Sequence, residues 1–206
     1  MAIRDLLWAC PVCGTEGGIR PAKKGEACTA CGTSYRRGKG AELIAETPGE
    51  RPRSLPAAVW ADRLSGANIL DRLCGSHDSG GIIHRDRVRA RFATSSTPIR
   101  HRGRYMNRIE RFGPACEGEL RLEPERLVLV RDAASPEAWP FDGLTAVQAS
   151  SSTLQIKARA RPVVSFRFLE GSARFWEELL TTALRRHYHA TGRGEILEFQ
   201  PRIATR

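Results

Sequence analysis

The chain has 206 residues, 41% of them hydrophobic and 27% charged, the usual range for a globular protein and enough for one large domain or two to three small ones. No run of 18 apolar residues occurs, which excludes a helix long enough to cross a membrane. The opening stretch Met1–Trp8 is too short and too charged for the apolar core of a signal peptide, so the expected location is cytoplasmic, peripheral at most to the inner membrane face.

The formal net charge is +10. Residues 56–113 hold eleven basic and five acidic residues, so +6 of the excess lies there, and every basic residue in that stretch is arginine. Such a zone favours anionic partners: nucleic acid, lipid headgroups or an acidic protein face. Six cysteines without a secretory leader argue against a disulfide framework.

The first element is a pair of motifs, Cys10-Pro11-Val12-Cys13-Gly14 and Cys28-Thr29-Ala30-Cys31-Gly32. A CxxC bend aims backbone amides at its sulfurs, and the following glycine is free to take positive φ. Two such bends bring four thiolates around one metal ion, with Zn²⁺ the expected occupant and a rubredoxin-like iron site or a redox dithiol the rivals. Four sulfurs close a tetrahedral shell, so the expected role of Cys10, Cys13, Cys28 and Cys31 is structural: a segment of this size has too little core to fold without a staple.

These residues resemble the zinc ribbon family, in which two cysteine knuckles sit on neighbouring β-hairpins. The resemblance covers about residues 6–46 and implies that Trp8 and Tyr35 pack over the knuckles. Residues 34–37 and 41–45 read as strands around a Gly38–Gly40 turn. Zinc ribbons bind nucleic acid in some proteins and protein partners in others, so the motif leaves the partner open.

Residues 47–81 read as a linker with short helices. Three prolines and a glycine fall within 47–56, a helix is predicted over 57–64 with Val59, Trp60 and Leu64 on one face, and a second helical piece over 68–73. A polar loop follows at 76–81. From residue 82 the pattern turns to strands. Arg87–Phe92 alternates charged and apolar residues, the mark of a strand with one wet, basic face. Residues 98–105 are basic and extended. Strands at 119–122 and 127–130 flank a turn at 123–126, and further strands are expected near 139–147, 154–157 and 163–168. Ser172 can cap a helix whose apolar stripe runs Phe175, Trp176, Leu179, Leu180, Ala183, Leu184 and Tyr188, with Gly192 to end it and a terminal edge strand at 196–199.

The fold class expected is therefore α+β, mostly β: a zinc ribbon over 1–46, then an antiparallel sandwich or barrel with a C-terminal helix over 82–206. The stretches Gly118–Leu129 and Trp139–Val147, with Trp176 in the helix, resemble the opening hairpin, next strand and helix tryptophan of the pleckstrin-homology (PH) and GRAM families. That resemblance covers about 85–190 and implies lipid or protein binding. It places Arg85, Arg87, Arg89, Arg91, Arg100, Arg102, Arg104 and Arg108 in the general region where such domains hold anionic ligands.

No catalytic constellation stands in the sequence. His77-Asp78-Ser79 are adjacent, whereas triads assemble from distant positions. His84-Arg85-Asp86 lacks the HxxxxD spacing of glycerolipid acyltransferases, His187 and His189 diverge on a helix, and there is no Walker loop or GxGxxG. The expected function is a non-catalytic zinc-binding adaptor or recruitment protein. It would act at an anionic membrane surface or on a protein partner, beside lipid-metabolising enzymes. The alternative is a nucleic-acid-binding zinc ribbon protein that uses the arginines of 84–111.

Overall fold

The computed structural model describes residues 2–65, 81–132, 134–150, 152–169 and 171–193. The expected helical piece at 68–73, the loop at 76–80 with His77–Ser79, Cys74 and the strand at 196–199 lie outside the described residues. The chain forms two compact units, Met1–Asn68 and Ile69–Arg206.

The first unit is a five-stranded antiparallel sheet in sequential order: β1 (Ile19–Ala22), β2 (Gly25–Cys28), β3 (Ser34–Arg37), β4 (Glu42–Glu46) and β5 (Arg53–Pro56). β5 and the helix α1 (Ala57–Ser65) fall inside the stretch read as a linker, yet β5 pairs with β4 through Leu43–Leu55 and its neighbours. Proline is tolerated here because Pro56 closes an edge strand, where no ladder donor is needed. Trp60 of α1 is fully buried and its indole N–H donates to the Leu43 carbonyl at 3.1 Å. Leu64 shares its burial, whereas Val59 points outward, a departure from the one-faced stripe expected there. Arg4 ties the N-terminal turn to β2: its backbone N–H and its guanidinium each donate to the carboxylate of Glu26 at 2.9 Å.

The second unit is an antiparallel sheet built from β6 (His84–His101), β8 (Cys116–Glu123), β9 (Arg126–Arg131), β10 (Ala134–Pro140), β11 (Leu144–Ser150), β12 (Thr153–Ala158) and β13 (Val164–Phe168). Their spatial order is β10-β9-β8-β6-β13-β12-β11, and a further strand, β7 (Arg104–Phe112), pairs only with β6. Alternation decides which face is dry: Val88 and Ala90 on β6, Leu120 and Leu122 on β8, and Val164, Phe166 and Phe168 on β13 are buried, with wetter residues between them.

The helix α2 (Ala173–Ala190) packs on β11, β12 and β13. The Ser172 hydroxyl accepts from the Phe175 N–H at its start. Phe175, Trp176, Leu179, Leu180 and Leu184 are buried, each contributing about 1.5–3 kcal/mol of apolar transfer. The Glu177 carboxylate accepts from the Ala149 N–H on edge strand β11 at 2.8 Å, and His187 meets Asp142 at 3.0 Å.

A sandwich or barrel is expected from the strand count, and the described strands do not close into a barrel. β10 and β11 end the sheet at opposite edges, and the free amide of Ala149 on the β11 edge is satisfied by the helix. The observed class is mostly β with a C-terminal helix. Near the start of β6, Asp86 accepts from the Trp176 indole N–H at 2.7 Å and meets His84 Nε2 at 3.2 Å, while His84 lies edge-on to Phe175. This polar cluster pins the helix to the sheet.

Candidate metal centre and the arginine-rich hairpin

The two knuckles are built alike. In the first, Gly14 N–H donates to the Cys10 carbonyl at 2.7 Å and Cys10 N–H to the Thr15 carbonyl at 3.0 Å. In the second, Gly32 N–H donates to the Cys28 carbonyl at 2.9 Å and Cys28 N–H to the Thr33 carbonyl at 2.8 Å. Gly14 and Gly32 have φ of 77° and 71°, the left-handed conformation the turn requires. The first knuckle is closed by an Ala9–Glu16 bridge, the second by the β2–β3 pairing of Ala27 with Ser34.

The folding brings all four sulfurs together. Their Sγ atoms lie within 4.8 Å of one another, with Cys10–Cys31 and Cys13–Cys28 both at 3.6 Å. A tetrahedron with metal–sulfur bonds of 2.3 Å has edges of about 3.8 Å. The observed spacing fits a metal such as zinc and is far longer than a disulfide bond of about 2.05 Å.

Hydroxyls surround the sulfurs. Tyr35 Oη lies 3.0 Å from Cys10 Sγ, Thr15 Oγ1 3.2 Å from Cys13 Sγ, and Thr33 Oγ1 3.1 Å from Cys31 Sγ. A divalent ion with four thiolates carries net charge −2, so donors aimed at sulfur stabilise it. The cysteine spacing leaves these hydroxyls out of view. The signal was available in the repeat itself, since both knuckles read CxxCGT.

Without a metal the four thiols are unequal. Burial pushes Cys10 up to about 12 and raises Cys28 as well, whereas the Thr15 hydroxyl and backbone N–H bring exposed Cys13 down to about 6. Burial also raises Tyr35, which therefore stays an O–H donor. A cation displaces protons from Cys10 and Cys28 on binding, so metal affinity rises with pH. Tyr35 links the site to α1: its ring meets Trp60 edge-on, 6.5 Å between centroids. Trp8 is buried at the first knuckle, where its carbonyl accepts from Gly17 N–H.

The eight candidate arginines do not form one group. Arg85, Arg87, Arg89 and Arg91 line the wet face of β6. Register sets Arg87 opposite Glu119 and Arg89 opposite Glu117, and Glu117 pairs with Arg89 at 2.9 Å and Arg87 at 3.6 Å. Arg91 donates to the carbonyls of Gly113 and Phe112 at 3.0 and 3.4 Å. Arg108 donates to Ser96 Oγ at 2.5 Å, and the Ser96 hydroxyl donates to Glu110 at 2.7 Å.

The remaining three sit at one place. From Ala93 onward β6 has left the sheet and pairs with β7 alone, the last rungs behind it being Ala93 N–H to Val163 O and Gly113 N–H to Phe92 O. The strands join through a two-residue turn, Arg102-Gly103, with Arg100 and Arg104 on either side. Among the described residues the side chains of Arg100, Arg102 and Arg104 are exposed and form neither an ion pair nor a hydrogen bond.

No protein-family model and no curated protein matches the chain. Among solved structures it is similar to the C-terminal domain of an unknown protein from Leishmania infantum, with 12% identity over 48% of this chain and 82% of that one and a TM-score of 0.31, too low to carry an argument.

Proposed function

We propose that the chain is a non-catalytic recruitment protein that binds structural zinc in its N-terminal unit and uses a PH/GRAM-like C-terminal unit at an anionic membrane surface. Zinc would be held by Cys10, Cys13, Cys28 and Cys31, adding a cross-link to a small apolar core.

The observation that carries the reading is strand order. Numbered by themselves in chain order, the seven strands of the second sheet lie 4-3-2-1-7-6-5, and one helix follows the seventh. Seven antiparallel strands and a closing helix are the arrangement the sequence resembles. In the phosphoinositide-binding members of that family, basic residues lie near the first two strands. Here the hairpin with Arg100, Arg102 and Arg104 is inserted between the first two. Each exposed arginine near an anionic leaflet contributes about 1 kcal/mol, so three give about 3 kcal/mol, roughly a 150-fold preference over a neutral surface.

Co-sedimentation with phosphatidylcholine vesicles, with and without 30% anionic lipid as the chosen dose, tests this at low salt. Equal binding to both kinds of vesicle removes the membrane reading. The second reading, a nucleic-acid-binding protein, draws on one feature: a two-stranded ribbon has a shape that the major groove of B-DNA admits. It requires duplex binding that falls steeply with salt.

A further inference from the structure

We infer that the four-cysteine centre is a thiol switch. Hydrogen peroxide converts it into two disulfides that cross the knuckles, Cys13–Cys28 and Cys10–Cys31, and the metal is given up while the first unit stays folded. This rests on the zinc reading above and adds a redox response to it.

Three observations carry the inference. The first is pairing. Cys13–Cys28 and Cys10–Cys31 each stand 3.6 Å apart, Sγ to Sγ, so each pair has to close by about 1.5 Å to reach disulfide length. The second is exposure. Cys10 and Cys28 are buried, at 0% and 2%, whereas Cys13 is exposed and Cys31 half-buried. Each cross-knuckle pair therefore joins a sulfur that solvent reaches to one that solvent does not. A peroxide-responsive pair needs that division: an accessible sulfur meets the oxidant, and a sheltered neighbour resolves the product.

The third observation is the rest of the unit. Trp8, Ile19, Tyr35, Leu43 and Trp60 are buried, and the five strands pair in sequential order. What a metal adds is a link between the first knuckle, closed by the Ala9–Glu16 bridge, and the second, carried on β2 and β3. A disulfide across the knuckles makes the same link, and one within a knuckle does not.

The chemistry balances. The Cys13 sulfur attacks one oxygen of the peroxide, the O–O bond breaks, and hydroxide leaves a sulfenic acid behind. The Cys28 sulfur then attacks Cys13 Sγ; the S–S bond forms, the S–O bond breaks, and a second hydroxide leaves. In sum, two thiolates, one peroxide and two protons from solvent give one disulfide and two waters. Both electrons come from sulfur. A second peroxide acts likewise at Cys31, with Cys10 resolving. Disulfide sulfurs are no longer thiolate ligands, so metal affinity is lost, and a dithiol reductant restores it.

The test uses the full chain, reduced and loaded with Zn²⁺, with bound zinc measured first. Hydrogen peroxide is added stepwise beside a chromophoric chelator, free thiols are alkylated, and the chain is cut with trypsin. Cleavage after Lys23 and Lys24 puts Cys10 and Cys13 on one peptide and Cys28 and Cys31 on another. After one equivalent of peroxide per zinc, the two peptides are expected joined, with Cys10 and Cys31 alkylated and Cys13 and Cys28 protected. After two equivalents, both links and full zinc release are expected. The far-UV circular dichroism of the loaded chain should persist, and Cys116, on β8 of the other unit, should still alkylate. Peptides that stay separate overturn the switch, whether through disulfides within each knuckle or sulfinic acid at Cys13. So does zinc retained until Cys116 is oxidised, or a first unit that unfolds on oxidation. A chain that takes up no zinc when loaded removes the zinc reading and the switch together. A chain that holds zinc yet forms no cross-knuckle link overturns the switch alone.

Discussion

Replacing Tyr35 with phenylalanine removes one oxygen and little else. The ring is fully buried, its edge-on contact with Trp60 is retained, and the lost group is the hydroxyl 3.0 Å from Cys10 Sγ. Apolar burial is almost unchanged, so the loss is a hydrogen bond to a charged sulfur, about 1.5–3 kcal/mol. That corresponds to roughly 10–150-fold in metal dissociation constant, in line with the 10–100-fold typical of groups that support metal ligands. Competition for Zn²⁺ against a chromophoric chelator, wild type beside Tyr35→Phe, measures it, and far-UV circular dichroism checks that both are folded. An affinity within twofold of wild type, with equal spectra, would falsify the claim that the hydroxyl stabilises the thiolate.

Three other outcomes follow from the same contacts. Cys28→Ser removes one of four sulfurs; the expected calorimetric trace loses the transition of residues 2–65 and keeps that of the C-terminal unit, while loss of both together would show that the two units melt as one. Gly171→Ala drives a methyl into Asp86 Oδ2, an atom already fixed by Trp176, so a loss of about 1–3 kcal/mol in urea unfolding is expected, and an unchanged midpoint refutes it. Glu178 titrates above its ordinary value of 4.5 because burial disfavours its charge. Below that value both folded and unfolded chains are protonated and nothing is lost; as pH rises through the raised folded value the cost of the buried charge appears. Glu178→Gln should therefore raise the melting temperature at pH 7 and leave it unchanged near pH 3.

What could be read from the sequence depended on how far apart the interacting residues lie. The CxxC offsets place each pair of sulfurs within one local turn, so Cys10, Cys13, Cys28 and Cys31 were legible before any fold was known. Alternation over Arg87–Phe92 and the stripe from Phe175 to Leu184 report burial directly, through the period of strand and helix. The Arg53–Pro56 strand was not legible. Pro52 before it and Pro56 at its end mark it as a break, and only the pairing with Glu42–Ala45 makes it part of a sheet. The turn at Arg102-Gly103 was missed for a different reason: its first position carries arginine where turn chemistry calls for Asn or Asp, so residues 98–105 read as one extended piece. Whether the sheet closes was not legible either, since β10 and β11 lie at its opposite ends and meet no common local signal.

The same distinction governs the arginines. Their alternation in the sequence makes Arg85 to Arg91 look like one basic stripe, and as a strand face they are. A stripe binds an external anion only if its charge is not already spent, and that depends on the neighbouring strand. β8 sets Glu117 and Glu119 against Arg89 and Arg87, so an approaching phosphate would have to compete with carboxylates in place. Exposed pairs of this kind are weak, about 0–1 kcal/mol, but they cancel the local field that would draw an anion in. The hairpin tip has no such neighbour. Its strands pair only with each other, and the single carboxylate, Glu110, is held by Ser96 several residues from the turn. The free positive charge therefore gathers at the turn end of the ribbon, away from the rungs that join it to the sheet.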